Sequence, residues 1–153
     1  MRVRPTRAED RLACARLHAA IAEERIYIGA EPPVDIEKRA ETWNLDGDFL
    51  AEVDGEVVGY LHLYPSHHGF GEIGMAVAKE WRGRGVGSAL MQAAIEHARG
   101  RGLHKLTLDV FAHNESAIAL YEKFGFVVEG RRTKHFRRKS GELWDSLEMG
   151  LLL

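Results

Sequence analysis

Arg82-Gly83-Arg84-Gly85-Val86-Gly87-Ser88 is the stretch whose reading decides the fold. Three glycines alternate with two arginines and a valine. Before it, residues 72–78 (Glu-Ile-Gly-Met-Ala-Val-Ala) read as a strand. After it, Ala89, Leu90, Met91, Ala93, Ala94, Ile95 and Ala98 give a helix over 86–99 with a broad apolar face. The loop therefore joins a strand to a helix N-terminus. Such a terminus offers unpaired N–H groups and a partial positive charge. Glycines let backbone approach an anion closely, and Arg82 and Arg84 add charge and donors. A phosphate or pyrophosphate is the expected ligand. A tight connection with no ligand is the bland alternative, which two arginines among three glycines argue against.

Two familiar phosphate loops are excluded. The nucleoside-triphosphate loop requires a lysine before its Ser/Thr, and Gly87 stands there instead. The dinucleotide fingerprint Gly-x-Gly-x-x-Gly fails at Ser88 when counted from Gly83, and at Leu90 when counted from Gly85. Asp109 ends the next strand at about the distance of a ribose-binding acid, but the fingerprint itself is broken.

Working outward, residues 1–4 form a short strand, and Thr6-Arg7-Ala8-Glu9 matches a capping box opening a helix to about Glu24. Leu12, Leu17 and Ile21 mark its apolar face. Residues 29–33 break the chain, and Asp35 caps a second helix through Ile36, Ala40 and Trp43. Strands at 49–53 and 57–64 flank Asp54-Gly55, a hairpin turn. Beyond the glycine-rich loop and its helix, 105–111 is a strand and 114–123 a helix stopped by Gly125. Phe126 to Glu129 begins a strand, and 131–138 with 142–152 forms a hairpin turned at Lys139-Ser140-Gly141. The order β, α, α, β, β, β, α, β, α, β, β implies one domain over 1–153, an α/β fold of the α+β, mixed-sheet kind.

The bulk numbers fit one globular domain. The 153 residues are 45% hydrophobic and 29% charged, with 21 basic against 23 acidic residues and a net charge of −2. So balanced a chain is not a general polyanion binder. A lone cysteine, Cys14, excludes an intrachain disulfide and fits a reducing compartment. No apolar run is long enough to span a bilayer, and the first residues turn polar at once, so a cytoplasmic location without membrane contact is expected.

A second signal lies at Asn114-Glu115-Ser116-Ala117-Ile118-Ala119-Leu120-Tyr121-Glu122-Lys123-Phe124-Gly125-Phe126. Asn114, Ala117 and Tyr121 share one helix face, and Asn114 is a good N-cap. The segment resembles the Asn-x-x-Ala-x-x-Leu-Tyr-x-x-x-Gly-Phe pattern of the GNAT superfamily of N-acetyltransferases. Arg82, Gly85 and Gly87 match that family's motif A, Gln/Arg-x-x-Gly-x-Gly/Ala, and the element order agrees along nearly the whole chain. The resemblance implies a mostly antiparallel sheet with helices on both faces and two parallel strands, 72–78 and 105–111, splayed apart. It implies acetyl-CoA as cosubstrate, with no metal. The backbone of Met75, Ala76 and Val77 would pair with the pantetheine arm. N–H groups of Arg82, Gly83, Arg84, Gly85, Val86, Gly87 and Ser88 would hold the pyrophosphate, and Asn114, Ala117 and Tyr121 would complete the site. A homodimer through the C-terminal strands is also implied.

The chemistry expected is direct attack of a primary amine on the thioester. A thiol has a pKa near ~8.5 and a tyrosine near ~10, so proton transfer from Tyr121 to the leaving thiolate is uphill by about 2 kcal/mol. Tyr121 is the candidate acid. Glu72 is the candidate base, with a water chain from His62, Tyr64 or His113 as its replacement. A backbone N–H near 75–77 is the candidate oxyanion donor. Cys14 lies inside a helix pattern without a base and is no nucleophile. Adjacent His67 and His68 point apart and lack a third ligand, so no metal site is expected. Trp43, Trp81 and Trp144 read as packing residues, and Leu151 to Leu153 as the end of an edge strand or a partner contact.

The acceptor reads as a small-molecule amine. Glu23, Glu24 and Glu31 near Tyr27 set carboxylates where a cationic amine would dock, and the tail at 126–130 and 141–149 resembles the branch that acetylates amino acids and small amines. Protein N-termini, polyamines, aminoglycosides and larger acyl groups stay open. The basic run from Arg131 to Lys139 reads as a solvated hairpin face. The competing binding module would be an RNA or ribosome contact, marked by salt-sensitive RNA binding without acetyl-CoA binding.

Overall fold

The computed structural model describes residues 1–153. Its elements are β1 (Arg2–Pro5), α1 (Arg11–Ala22), α2 (Ile36–Glu41), β2 (Phe49–Val53), β3 (Glu56–Pro65), β4 (Phe70–Val77), α3 (Val86–Gly100), β5 (Lys105–Phe111), α4 (Glu115–Lys123), β6 (Val127–Arg137) and β7 (Leu143–Leu152). Short 3₁₀ turns precede α1 and follow β4. The strands form one sheet in the order β1-β2-β3-β4-β5-β7-β6. All neighbours are antiparallel except β4 and β5.

Alternation along the strands fills two cores, one on each face of the sheet. On one face, Leu61, Leu63 and Ile73 pack under Leu90, Met91 and Ala94 of α3 and under Tyr121 of α4. On the other, Leu50, Tyr60 and Ala76 meet Cys14, Ala15 and Ile21 of α1 and Trp43 beyond α2. The Asp54-Gly55 turn forms as its residue types require, with φ of 49° and 80°.

Three expectations are corrected. The helix start is not boxed by Thr6 and Glu9: the Asp10 carboxylate accepts the Arg7 backbone N–H at 2.8 Å, and the buried Thr6 hydroxyl has no partner. Leu12 is 39% exposed; the buried side of α1 is Cys14, Ala15, Ile21 and Ala22, because small residues let the helix lie close to the sheet. The C-terminal leucines do not finish an edge strand. β7 inserts between β5 and β6, leaving β6 on the edge.

The register between β4 and β5 creates the site. The two pair only at Phe70–Lys105, Gly71–Leu106 and Glu72–Thr107. From residue 73 onward β4 stays bonded to β3, and from residue 108 onward β5 stays bonded to β7. The strands diverge and leave a wedge with a free backbone edge on β4. No helix is long and apolar enough to cross a membrane.

Candidate active site

The wedge is a cleft of about 570 Å³. Residues 73–77 form one wall and Asp109, Val110 and Phe111 the other. The glycine-rich loop and α4 close one end, and His18, Arg39, Tyr60 and His62 reach in from the opposite face of the sheet.

At the loop end, Gly85 has φ of 86° and stands as the N-cap of α3. This left-handed conformation turns the chain sharply into the helix, and a side chain there would be strained. The first bond inside the helix is Ala89 N–H to Gly85 O at 3.1 Å. The N–H groups of Val86, Gly87 and Ser88 precede it, so they are available to an anion. All three residues line the cleft, as do Gly83 and Gly85. That is a cradle suited to a pyrophosphate.

The arginines behave differently from expectation. Arg82 lines the cleft but donates two hydrogen bonds of 2.7 Å to the Glu24 carboxylate and one of 3.1 Å to Val77 O. Its guanidinium carbon lies 4.4 Å from the Tyr27 ring centroid. It braces the loop against the end of α1 and the end of β4. Arg84 lies outside the cleft lining, over the Trp81 ring at 4.0 Å. The backbone, rather than the arginine side chains, is thus the main donor set.

The brace has a measurable consequence. The hydrogen-bonded Arg82 holds the Glu24 carboxyl below its ordinary value of 4.5, against the opposing effect of burial. Because the folded value is depressed, the stabilisation is complete well above pH 4.5 and is lost as pH falls through the folded value. Glu24→Gln is expected to lower stability at pH 7 and to weaken acetyl-CoA binding several-fold. In urea denaturation its deficit against wild type should shrink as pH falls below 4.5 and through the depressed folded value. A deficit independent of pH would show that the charge of Glu24 contributes nothing.

On α4, Asn114 caps the helix, its Oδ1 accepting the Ala117 N–H at 3.4 Å, and Asn114, Ala117 and Tyr121 all line the cleft. Cap and cleft wall coexist in one residue. Tyr121 is 7% exposed, and burial pushes its phenol up to about 12. Asp109 also lines the cleft, with Arg132 at 3.6 Å.

Glu72 does not reach the cleft. It is exposed, sits where β4 and β5 are still paired, and is not among the lining residues. His113 is also outside, bonded to Ile26 O at 2.8 Å. His62 is inside and only 7% exposed. Its Nδ1 is hydrogen-bonded to the buried Asp48 carboxylate, which also accepts from Asn44 Nδ2 at 2.8 Å and the Leu63 N–H at 3.3 Å. Its Nε2 lies 3.1 Å from Arg39 Nη2. A guanidinium only donates, so Nε2 is the acceptor and the ring proton lies on Nδ1. Next to it, His18 and the Tyr60 hydroxyl are hydrogen-bonded at 2.8 Å. Burial, with Arg39 and His62 nearby, lowers His18 to about 4.

Expectations for the acceptor loop also change. Glu24 is taken by Arg82, and Glu31 accepts the Lys139 N–H at 3.0 Å and lies 3.7 Å from Arg138. Neither waits for an amine. The basic run is not a plain solvated face either. Arg138 is 5% exposed and donates to Gly29 O and Ile28 O, pinning the 28–32 loop. Arg131 pairs with Asp145, and Arg132 with Glu148. Cys14 is fully buried, its thiol pushed up to about 12 by burial. Arg39, Tyr60 and Ser146 were not singled out from sequence. Arg39 and Trp43 stand four apart, a spacing that allows a cation over a ring, and this was the one available signal.

The model of the acetyltransferase (GNAT) family matches residues 14–126, most of the chain. The chain belongs to the GNAT family. This GNAT chain is 40% identical over 128 residues to mycothiol acetyltransferase of Paenarthrobacter aurescens, covering 78% of the chain and 40% of that protein. It is 36% identical over 105 residues to L-amino acid N-acetyltransferase AaaT of Escherichia coli, covering 65% and 64%. The chain thus matches less than two thirds of the length of either relative. Ribosomal-protein-alanine N-acetyltransferase of Brucella melitensis superposes with a TM-score of 0.89 at 31% identity, covering all of both chains. Solved structures of the same fold hold acetyl-CoA, the cosubstrate of GNAT N-acetyltransferases, and the cradle at α3 suits its pyrophosphate.

Proposed function

We propose that this protein transfers the acetyl group of acetyl-CoA to the primary amine of a small molecule. The observation that carries the proposal is the wedge between β4 and β5. It joins a free strand edge for an extended arm, a helix N-terminus for a pyrophosphate, and a buried polar end for an acceptor. The amine nitrogen forms a bond to the thioester carbonyl carbon, and the carbon–sulfur bond then breaks. N–H groups on the free edge at 75–77 are directed at the oxyanion. The leaving thiolate takes its proton from Tyr121.

His62 replaces Glu72 as the base. Asp48 holds the Nδ1 proton, so Nε2 is the atom that accepts the proton shed by the amine. His62→Gln should lower kcat by about 10²-fold with acetyl-CoA affinity retained. A kcat close to wild type would return the role to a water chain or to Glu72.

The test of the whole reading is thiol release from acetyl-CoA over a panel of amino acids, polyamines and aminoglycosides. Steady release with small amines, and none with hydroxy analogues, is the expected result. A second reading is supported by the full-length likeness to an enzyme named for ribosomal-protein alanine. Faster release with an alanine-initiated peptide than with any free amine would favour it. The dimer reading falls on β6, one of the two edge strands of the sheet, where Val127 and Val128 are 60% and 51% exposed; light scattering tests it.

A further inference from the structure

Arg39 is a cation without a counter-ion at the acceptor end of the cleft. It belongs to none of the chain's ion pairs. The contrast with Arg82, clamped by Glu24, is direct. Arg39 is half-buried and lines the cleft. Its guanidinium carbon lies 4.2 Å from the Trp43 ring centroid, so the ring holds the head group without neutralising it. It is hydrogen-bonded to His62 Nε2 at 3.1 Å and lies beside the Tyr64 hydroxyl. A guanidinium has five donors in a planar fork, so donors remain for a ligand.

We propose that Arg39 anchors a carboxylate of the acceptor, and that the substrate class is therefore an amino acid with a free α-carboxylate. This inference rests on the amine-acetylation reading and narrows it. Two features of the site fit an α-amino acid. The cation and the proton-accepting Nε2 are immediate neighbours, as are the carboxylate and the amine on one α-carbon. In addition, Arg39 itself covers the Nε2 lone pair. A carboxylate drawing the guanidinium to itself uncovers that lone pair for the amine proton. It also screens the guanidinium charge beside an imidazole that is about to become positive. The acceptor's own carboxylate thus readies the base. Further along the cleft, the Ser146 hydroxyl is buried at 1% exposure with no partner.

The experiment compares each of the twenty L-amino acids with its carboxamide, by thiol release, for wild type, Arg39→Met and Arg39→Lys. Wild type is expected to favour the best free acid over its amide by roughly 10- to 100-fold in kcat/KM. Arg39→Met should abolish that preference, the acid falling in kcat/KM to about the level of its amide. Arg39→Lys should restore part of it. Acetyl-CoA titration of each variant reports whether the fold and the coenzyme site survive. Equal rates on acids and amides in wild type would overturn the anchor while leaving amine acetylation standing. An equal loss on both series in Arg39→Met would do the same. No release with any member of either series would overturn the amine-acetylation reading, and the anchor with it.

Discussion

Tyr121→Phe is expected to lower kcat by about 10²–10⁴-fold while leaving acetyl-CoA affinity nearly unchanged. The ring packs against Phe126, with centroids 5.8 Å apart, and phenylalanine keeps that packing, so the loss isolates the hydroxyl. Burial moves the phenol up to about 12, which at first weakens it as an acid. Against a free thiol near ~8.5 the transfer would be uphill by about 5 kcal/mol. The leaving thiolate, however, would form within the same cleft. Desolvation raises a thiol as it raises a phenol. Desolvation of the leaving thiolate would narrow that gap. The check is kcat at saturating acetyl-CoA together with a binding titration. A kcat within about threefold of wild type would remove Tyr121 from the proton path.

Gly85→Glu should abolish acetyl-CoA binding. Two effects act at this position and must be separated. The backbone φ of 86° strains any L-residue by about 1–2 kcal/mol, which a thermal scan reads as a drop of a few degrees. The carboxylate then occupies the helix N-terminus, the place of the pyrophosphate, and repels it. Gly85→Ala carries the strain without the charge. Calorimetric titration should show micromolar binding for wild type, retained in Gly85→Ala and absent in Gly85→Glu. If Gly85→Glu binds as tightly as Gly85→Ala, the pyrophosphate does not sit at this loop.

The two motifs fall at the cleft because they are local. A helix N-terminus after a glycine-rich turn presents its N–H groups whatever surrounds it, so the placement of Gly85, Val86, Gly87 and Ser88 at the cleft was legible from spacing alone. The same holds for Asn114, Ala117 and Tyr121, which one helix period places on a single face. Arg82 and Arg84 show where that logic stops. Nothing in the sequence near Arg82 reveals that Glu24, 58 residues away, takes its guanidinium in two hydrogen bonds. Glu72 lies outside the cleft lining for a related reason. Its position on a strand was read correctly, but whether it faces the cleft depends on where β4 and β5 separate, and they separate one residue later.

Composition, strand and helix periodicity, the Asp54-Gly55 turn and the two motifs were enough to determine the class of fold, its element order and the helix N-terminus that lies at one end of the cleft. These properties follow from short-range sterics and hydrogen bonding, which sequence spacing encodes directly. Tertiary structure alone decided the acceptor end. There, Asp48 from the segment before β2, His62 from β3 and Arg39 from α2 form one hydrogen-bonded chain. It alone decided that β7, not β6, lies beside β5, and that Arg138 pins the acceptor loop from 109 residues away. Contacts between residues so far apart in the chain are set by how the layers pack and by strand register, and neither leaves a mark at any single position of the sequence.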